Sequence, residues 1–136
     1  MSKHTDRAME LRSQFTPAGK TVYNCAQAVV SAFADDIGLD GETCRKLGTF
    51  FRGGMQIGDV CGAVTGGMMV LGLMGESDPE VLNEYFRKVR DAHGGSMDCR
   101  DLLRENEERG GVKLAYCNGM ICECIGYVEE ALKARK

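Results

Sequence analysis

Seven cysteines in 136 residues set the chemistry open to this chain. They stand at Cys25, Cys44, Cys61, Cys99, Cys117, Cys122 and Cys124. Cysteine sulfur offers two main chemistries. A thiolate can attack a disulfide and exchange with it, and several thiolates together can hold zinc or an iron–sulfur cluster. The odd count speaks against a fully paired structural framework. No Cys-x-x-Cys occurs, which excludes the thioredoxin-type arrangement, so an active pair must come from separate segments. Only two histidines are present, which makes serine–histidine catalysis a poor fit. His4 falls in an N-terminal segment expected to be mobile. His93 falls at an expected helix end, facing solvent rather than serving as a metal ligand.

Helices must position these thiols, because apolar residues recur at helical spacing and alternating β-branched runs are absent. The expected architecture is all-α: residues 1–136 form one domain, a bundle of about five to seven helices around a buried Gly-rich central helix. A first helix covers Thr5 to Phe15 and stops before Pro17. A second, from Tyr23 to Ile37, puts Cys25, Ala26, Val29, Val30 and Phe33 on one face and ends at a left-handed Gly38. Glu42 to Phe51 forms a third. Asp78-Pro79 opens another helix, with proline at its first turn. Ser96 to Asp98 can cap a short helix carrying Cys99 and Leu102. Asn106 to Tyr116 reads as polar and irregular, and the last helix covers Ile121 to Lys133. On that helix Ile121, Cys124, Val128 and Leu132 share the apolar face, whereas Cys122 points toward a more polar one. Cys25, Cys61, Cys99 and Cys124 therefore occupy inward faces of four helices. Cys44, beside Leu47 and Phe51, reads as core filler.

The central helix is the uncharged stretch Val60 to Gly75, bracketed by Asp59 and Glu76. Glycine inside a helix costs about 1 kcal/mol relative to alanine. Repeated Gly62 and Gly66 therefore imply close approach of another helix backbone, and a homodimer packed through this glycine face is the expectation. Asp59 is the expected N-cap, which puts Cys61 at about the second helical position. The helix dipole there favours a thiolate, whereas burial and Asp59 oppose it, and sequence does not fix the net sign.

Composition narrows the function classes. A net charge of -3 and the absence of a basic run argue against nucleic-acid binding. The uncharged stretch is shorter than the roughly 20 residues of a membrane span, and the polar N-terminus lacks a signal-peptide core. The expected location is the cytoplasm, where thiols stay free. The glycine-rich loop before Asp59 lacks the ending of a phosphate-binding loop. The eight methionines fit adaptable core packing.

Asn24-Cys25-Ala26-Gln27-Ala28-Val29, then Cys61-Gly62-Ala63-Val64-Thr65-Gly66 with Met69-Val70-Leu71-Gly72-Leu73, then Cys99-Arg100-Asp101-Leu102-Leu103 and Cys124 four residues before Val128 form one pattern. In it the chain resembles the family of predicted redox-active proteins named for a Cys-Gly-Ala-x-x-Gly motif and spaced single cysteines, the C-GCAxxG-C-C family. The resemblance spans about residues 20 to 132. It implies redox activity through four recurring cysteines, here Cys25, Cys61, Cys99 and Cys124, with Cys117 and Cys122 as close rivals for the last place. Such proteins are often encoded near transporter genes, so a redox partner or a transporter-associated protein is the implied partner.

The reading favoured here is a thiol redox protein that cycles inward cysteines between dithiol and disulfide, with Cys61 attacking and Cys25 as its preferred partner. The first alternative is a metal or iron–sulfur module with Cys25, Cys61, Cys99 and Cys124 as ligands, although their spacing matches no familiar ligand ribbon and no particular cofactor is indicated. The second is a structural or partner-binding helical protein with inert thiols.

Overall fold

The computed structural model describes residues 2–135. It is all-α, and among the described residues the only extended pairings are two isolated bridges, Phe15 with Thr21 and Val60 with Asp98. Eight α-helices follow in order: α1 (Lys3–Arg12), α2 (Cys25–Ala32), α3 (Ala34–Ile37), α4 (Gly41–Leu47), α5 (Gly62–Leu73), α6 (Pro79–Ala92), α7 (Cys99–Glu108) and α8 (Lys113–Ala134). Among the described residues the count exceeds the expected five to seven because the expected second helix is divided into α2 and α3. Phe33 leaves helical geometry and splits off α3, which then stops at Gly38 with φ 83° as expected.

Local chemistry sets most helix starts. Ser2 caps α1 by accepting from Thr5 N. Asn24 caps α2 through a reciprocal pair with Gln27, each side chain accepting from the other's backbone N–H at 2.8 Å. Asp40 and Asp78 cap α4 and α6, the latter ahead of Pro79.

Several expected boundaries moved: α1 ends at Arg12 and not Phe15, α4 ends at Leu47 and not Phe51, and two further shifts bear on the site. The central helix is not capped by Asp59. The bridge between Val60 and Asp98 holds that segment extended, so Cys61 itself is the N-cap and α5 begins at Gly62. The last helix starts at Lys113, not Ile121. Gly110, with φ 76°, breaks the chain upstream, and the polar letters between it and Met120 belong to a helix whose first turns are partly exposed.

Helices α2 and α5 form the centre. Gly62 and Gly66 press directly on α2: a Cβ on Gly66 would lie 2.9 Å from Val29 Cβ and 3.0 Å from the Ala26 carbonyl oxygen. The glycine face offered to a homodimer is thus occupied by α2 of the same chain. Gly67 gives way to the Tyr85 hydroxyl, which donates to the Val64 carbonyl at 2.9 Å. Val29, Val30, Phe33, Val64, Val70, Ile121, Ile125 and Val128 fill the space among α2, α5 and α8 with no exposure. Between α4 and α5 the chain makes a left-handed turn. Gly53, Gly54, Met55 and Gln56 all have positive φ, and Gly54 leaves no room for a Cβ against the Asp59 carbonyl. Met55 and Gln56 pay for this geometry, since L side chains disfavour it by about 1–2 kcal/mol each. Among the described residues, no helix is long and apolar enough to cross a membrane.

A thiol pocket at converging helix ends

Three cysteines sit at helix starts. Cys25 is the first residue of α2, Cys61 the N-cap of α5 and Cys99 the first residue of α7. The last two are locked together by backbone: Cys61 N donates to the Met97 carbonyl at 2.8 Å, and Cys99 N to the Asp59 carbonyl at 2.7 Å. All three line one pocket of about 380 Å³, and the fourth thiol there is Cys117 of α8.

Cys124, expected as the fourth member, does not line this pocket. It is fully buried beneath it, where it hydrogen-bonds Tyr85. The geometry explains the exchange. Cys117, Ile121, Cys124 and Val128 form one stripe at helical spacing once α8 starts at Lys113. Cys117 is the outer end of that stripe and Cys124 its interior. Cys44 is fully buried in the core and Cys122 half-buried outside the pocket, as expected of extras.

Electrostatics separates the four pocket thiols. Cys61 is pushed up to about 11, chiefly by burial and further by Cys99 and Cys117, although the N–H groups of Ala63 and Val64 pull the other way. Burial therefore outweighs the helix N-terminus, against the expectation that Cys61 is the attacking thiolate. Burial also raises Cys99. Cys117 alone moves down, to about 6. The largest cause is a hydrogen bond from the Cys25 thiol, and Arg12 and Lys113 add to it against the opposing burial. Cys25 moves well up for the reciprocal reason, because its proton is held in that bond. Arg12 acts on both sulfurs, and Lys113 is the cation that acts on Cys117 and not on Cys25.

Those cations were missed in the sequence. Arg12 is only 5% exposed and donates through Nε to Asn118 Oδ1 at 2.8 Å and through Nη1 to the Tyr23 carbonyl at 2.9 Å. Arg52 grips Thr21 twice, at Oγ1 (3.0 Å) and at its carbonyl (2.9 Å). The signal for Arg12 was present: Thr5, Ala8, Leu11 and Arg12 are the buried residues of α1, so the arginine lies on the core face. For Arg52 there was no such signal.

The histidines differ from expectation. His4 is fixed, not mobile. Its ring stacks on Phe33 with centroids 3.9 Å apart, and its nitrogens meet Glu129 at 2.6 Å and Asp36 at 2.9 Å. His93 is 14% exposed and meets Glu123 at 2.8 Å instead of facing solvent. Among the described residues, no group of three or more His, Cys, Asp or Glu side chains is placed to hold a metal ion. The arrangement can present one thiolate, backed by a hydrogen-bonded thiol, to a molecule entering the pocket.

No curated protein and no solved structure matches the chain. A family described as "Putative redox-active protein (C_GCAxxG_C_C)" matches residues 23–131, which include Cys25, Cys61, Cys99, Cys117 and Cys124. With that match over most of its length, the chain belongs to the C_GCAxxG_C_C family.

Proposed function

We propose that this protein is a thiol–disulfide exchange protein in which Cys117 attacks and Cys25 resolves. The observation that carries the reading is that Cys25 and Cys117 line one pocket and interact as a pair, with Cys117 lowered to about 6 by that pairing and by Arg12 and Lys113. An ordinary thiol is only a few per cent ionised at pH 7. A thiol at about 6 is mostly thiolate there and still nucleophilic, near the optimum for attack at ambient pH. Cys25 keeps its proton until Cys117 is consumed, which suits the second step. Membership of a redox-active family supports the same reading. The pair replaces the expected Cys25–Cys61 couple, since Cys61 is held protonated by burial. A reducing compartment such as the cytoplasm would return the disulfide to the dithiol, and a partner thiol protein, of the kind expected near a transporter, would be one source of electrons.

The test is mass spectrometry of the protein under mild oxidation, with the disulfide mapped by peptide digestion. Wild type should lose two hydrogens reversibly and yield a Cys25–Cys117 peptide. Cys117→Ser should abolish it, Cys25→Ser should stop at a mixed disulfide on Cys117, and Cys61→Ser should leave the pair intact. A disulfide that persists in Cys117→Ser would sink this assignment.

A further inference from the structure

We propose that the molecule reduced in this pocket is a small disulfide bearing carboxylate groups, held by the Arg12 and Arg52 guanidinium groups beside Cys117. The proposal rests on the redox reading and adds the substrate class to it.

The charge of the pocket is one-sided. Arg12, Lys20, Arg52 and Lys113 line it, and no aspartate or glutamate does. Elsewhere in the molecule several arginines pair with carboxylates, among them Arg7 with Glu10, Arg104 with Asp101 and Arg135 with Glu76, and others do not. Among the described residues Arg12 and Arg52 donate only to neutral oxygens, on Asn118, Tyr23 and Thr21. Those bonds position the two forks without neutralising them, and a guanidinium with five N–H donors has some in reserve. Two cations close enough to repel each other, one of them 5% exposed, are costly to hold together. A planar carboxylate, which guanidinium binds in bidentate fashion, relieves that cost. Leu102, Leu103 and Met120 supply an apolar wall. The volume of about 380 Å³ suits a small molecule and not a folded partner's surface.

The step balances as follows. The Cys117 thiolate attacks one substrate sulfur, the substrate S–S bond breaks, and one carboxylated thiolate leaves. Cys25 passes its proton to that leaving group, attacks the Cys117 sulfur and expels the second thiolate. The protein is oxidised by two electrons to the Cys25–Cys117 disulfide, and the substrate is reduced to one thiol and one thiolate, the latter taking its proton from solvent.

Two probe pairs test this. Iodoacetate and iodoacetamide differ in charge and both alkylate thiolates. A dianionic bis(carboxynitrophenyl) disulfide and neutral dipyridyl disulfide differ likewise and both oxidise dithiols. At low salt, the anionic-to-neutral rate ratio at Cys117 should exceed that of the urea-unfolded chain by roughly tenfold or more, as electrostatic focusing allows. Arg52→Gln should remove most of the excess, Arg52→Lys should keep most of it, and Arg87→Gln, outside the pocket, should leave it unchanged. Lys113→Gln, on the exposed rim, gives a second reading should Arg52→Gln fail to fold; it should lower the ratio severalfold. A ratio equal to that of the unfolded chain, or one indifferent to both substitutions, overturns the proposal. If the Cys25–Cys117 disulfide forms equally fast with both disulfides, the substrate class is wrong and the redox reading stands. If neither disulfide produces it, the redox reading fails, whatever alkylation shows.

Discussion

At the scale of single residues, the proposed chemistry turns on the opposite shifts of the pocket thiols. Cys117 sits at about 6 and Cys61 at about 11. The rate of Cys117 alkylation by iodoacetamide should therefore rise through a midpoint near pH 6, whereas Cys61 should stay unmodified until the pH is far above neutral. Mass mapping of labelled peptides across a pH series checks both. The same shift acts on stability. Cys117 lies below its ordinary value of 9.0, so its contribution is fully present above that value and is lost as the pH falls through about 6. Urea midpoints of wild type should climb between pH 6 and about 8.5, and those of Cys117→Ser should lack this climb. Above that window the raised Cys25 and Cys61 stay protonated in the fold while unfolded thiols ionise, so stability turns down again. A flat profile for wild type across the lower window would contradict a Cys117 thiolate.

At the scale of elements, glycines divide into those that are needed and those that are not. Gly66 faces α2 backbone that cannot move, so Gly66→Ala should cost about 1–3 kcal/mol. Gly126, in the interior of α8, has nothing within 4 Å of a Cβ position, so Gly126→Ala should stabilise by up to about 1 kcal/mol. Thermal or urea unfolding separates the two, and equal effects would count against intramolecular α2–α5 packing as the reason for Gly66. Elements with local signals were legible in the sequence: Asp78-Pro79 opened α6, Gly38 closed α3, and the uncharged run became α5. The start of α8 was not, because Lys113, Asn118 and Gly119 mask the apolar stripe that begins at Tyr116 and Cys117. That shift set Cys124 ahead of Cys117, which stood only as a rival for the fourth place. Three of the four pocket cysteines were legible, since each lies at the start of a helix whose position the sequence marked. Arg12 lies on the buried face of α1, a spacing the sequence carries, whereas Arg52 lies in a loop where it bonds Thr21, and no local spacing encodes that contact.

At the scale of the molecule, α1 ties the bundle together and also furnishes the pocket. His4 at one end stacks on Phe33 and bridges Asp36 and Glu129, joining α1 to α3 and α8; Arg12 at the other end stands beside Cys117. Replacing His4 by alanine removes a packed ring and two hydrogen bonds to carboxylates, at a cost of about 2–3 kcal/mol. His4→Ala should speed amide exchange along α1 and slow Cys117 alkylation at neutral pH, although His4 is remote from the pocket. Unchanged exchange in α1 would show that the clamp carries no such load. The absence of a carboxylate beside Arg12 has a consequence for energy storage. On the proposed cycle the Cys117 thiolate of the reduced protein is the counter-ion of Arg12. Closing the disulfide in that cycle erases the negative charge and strands a buried cation. The oxidised form is thus the spring-loaded one, a ready electron acceptor, and rising concentrations of small carboxylates should relax it and make it harder to reduce.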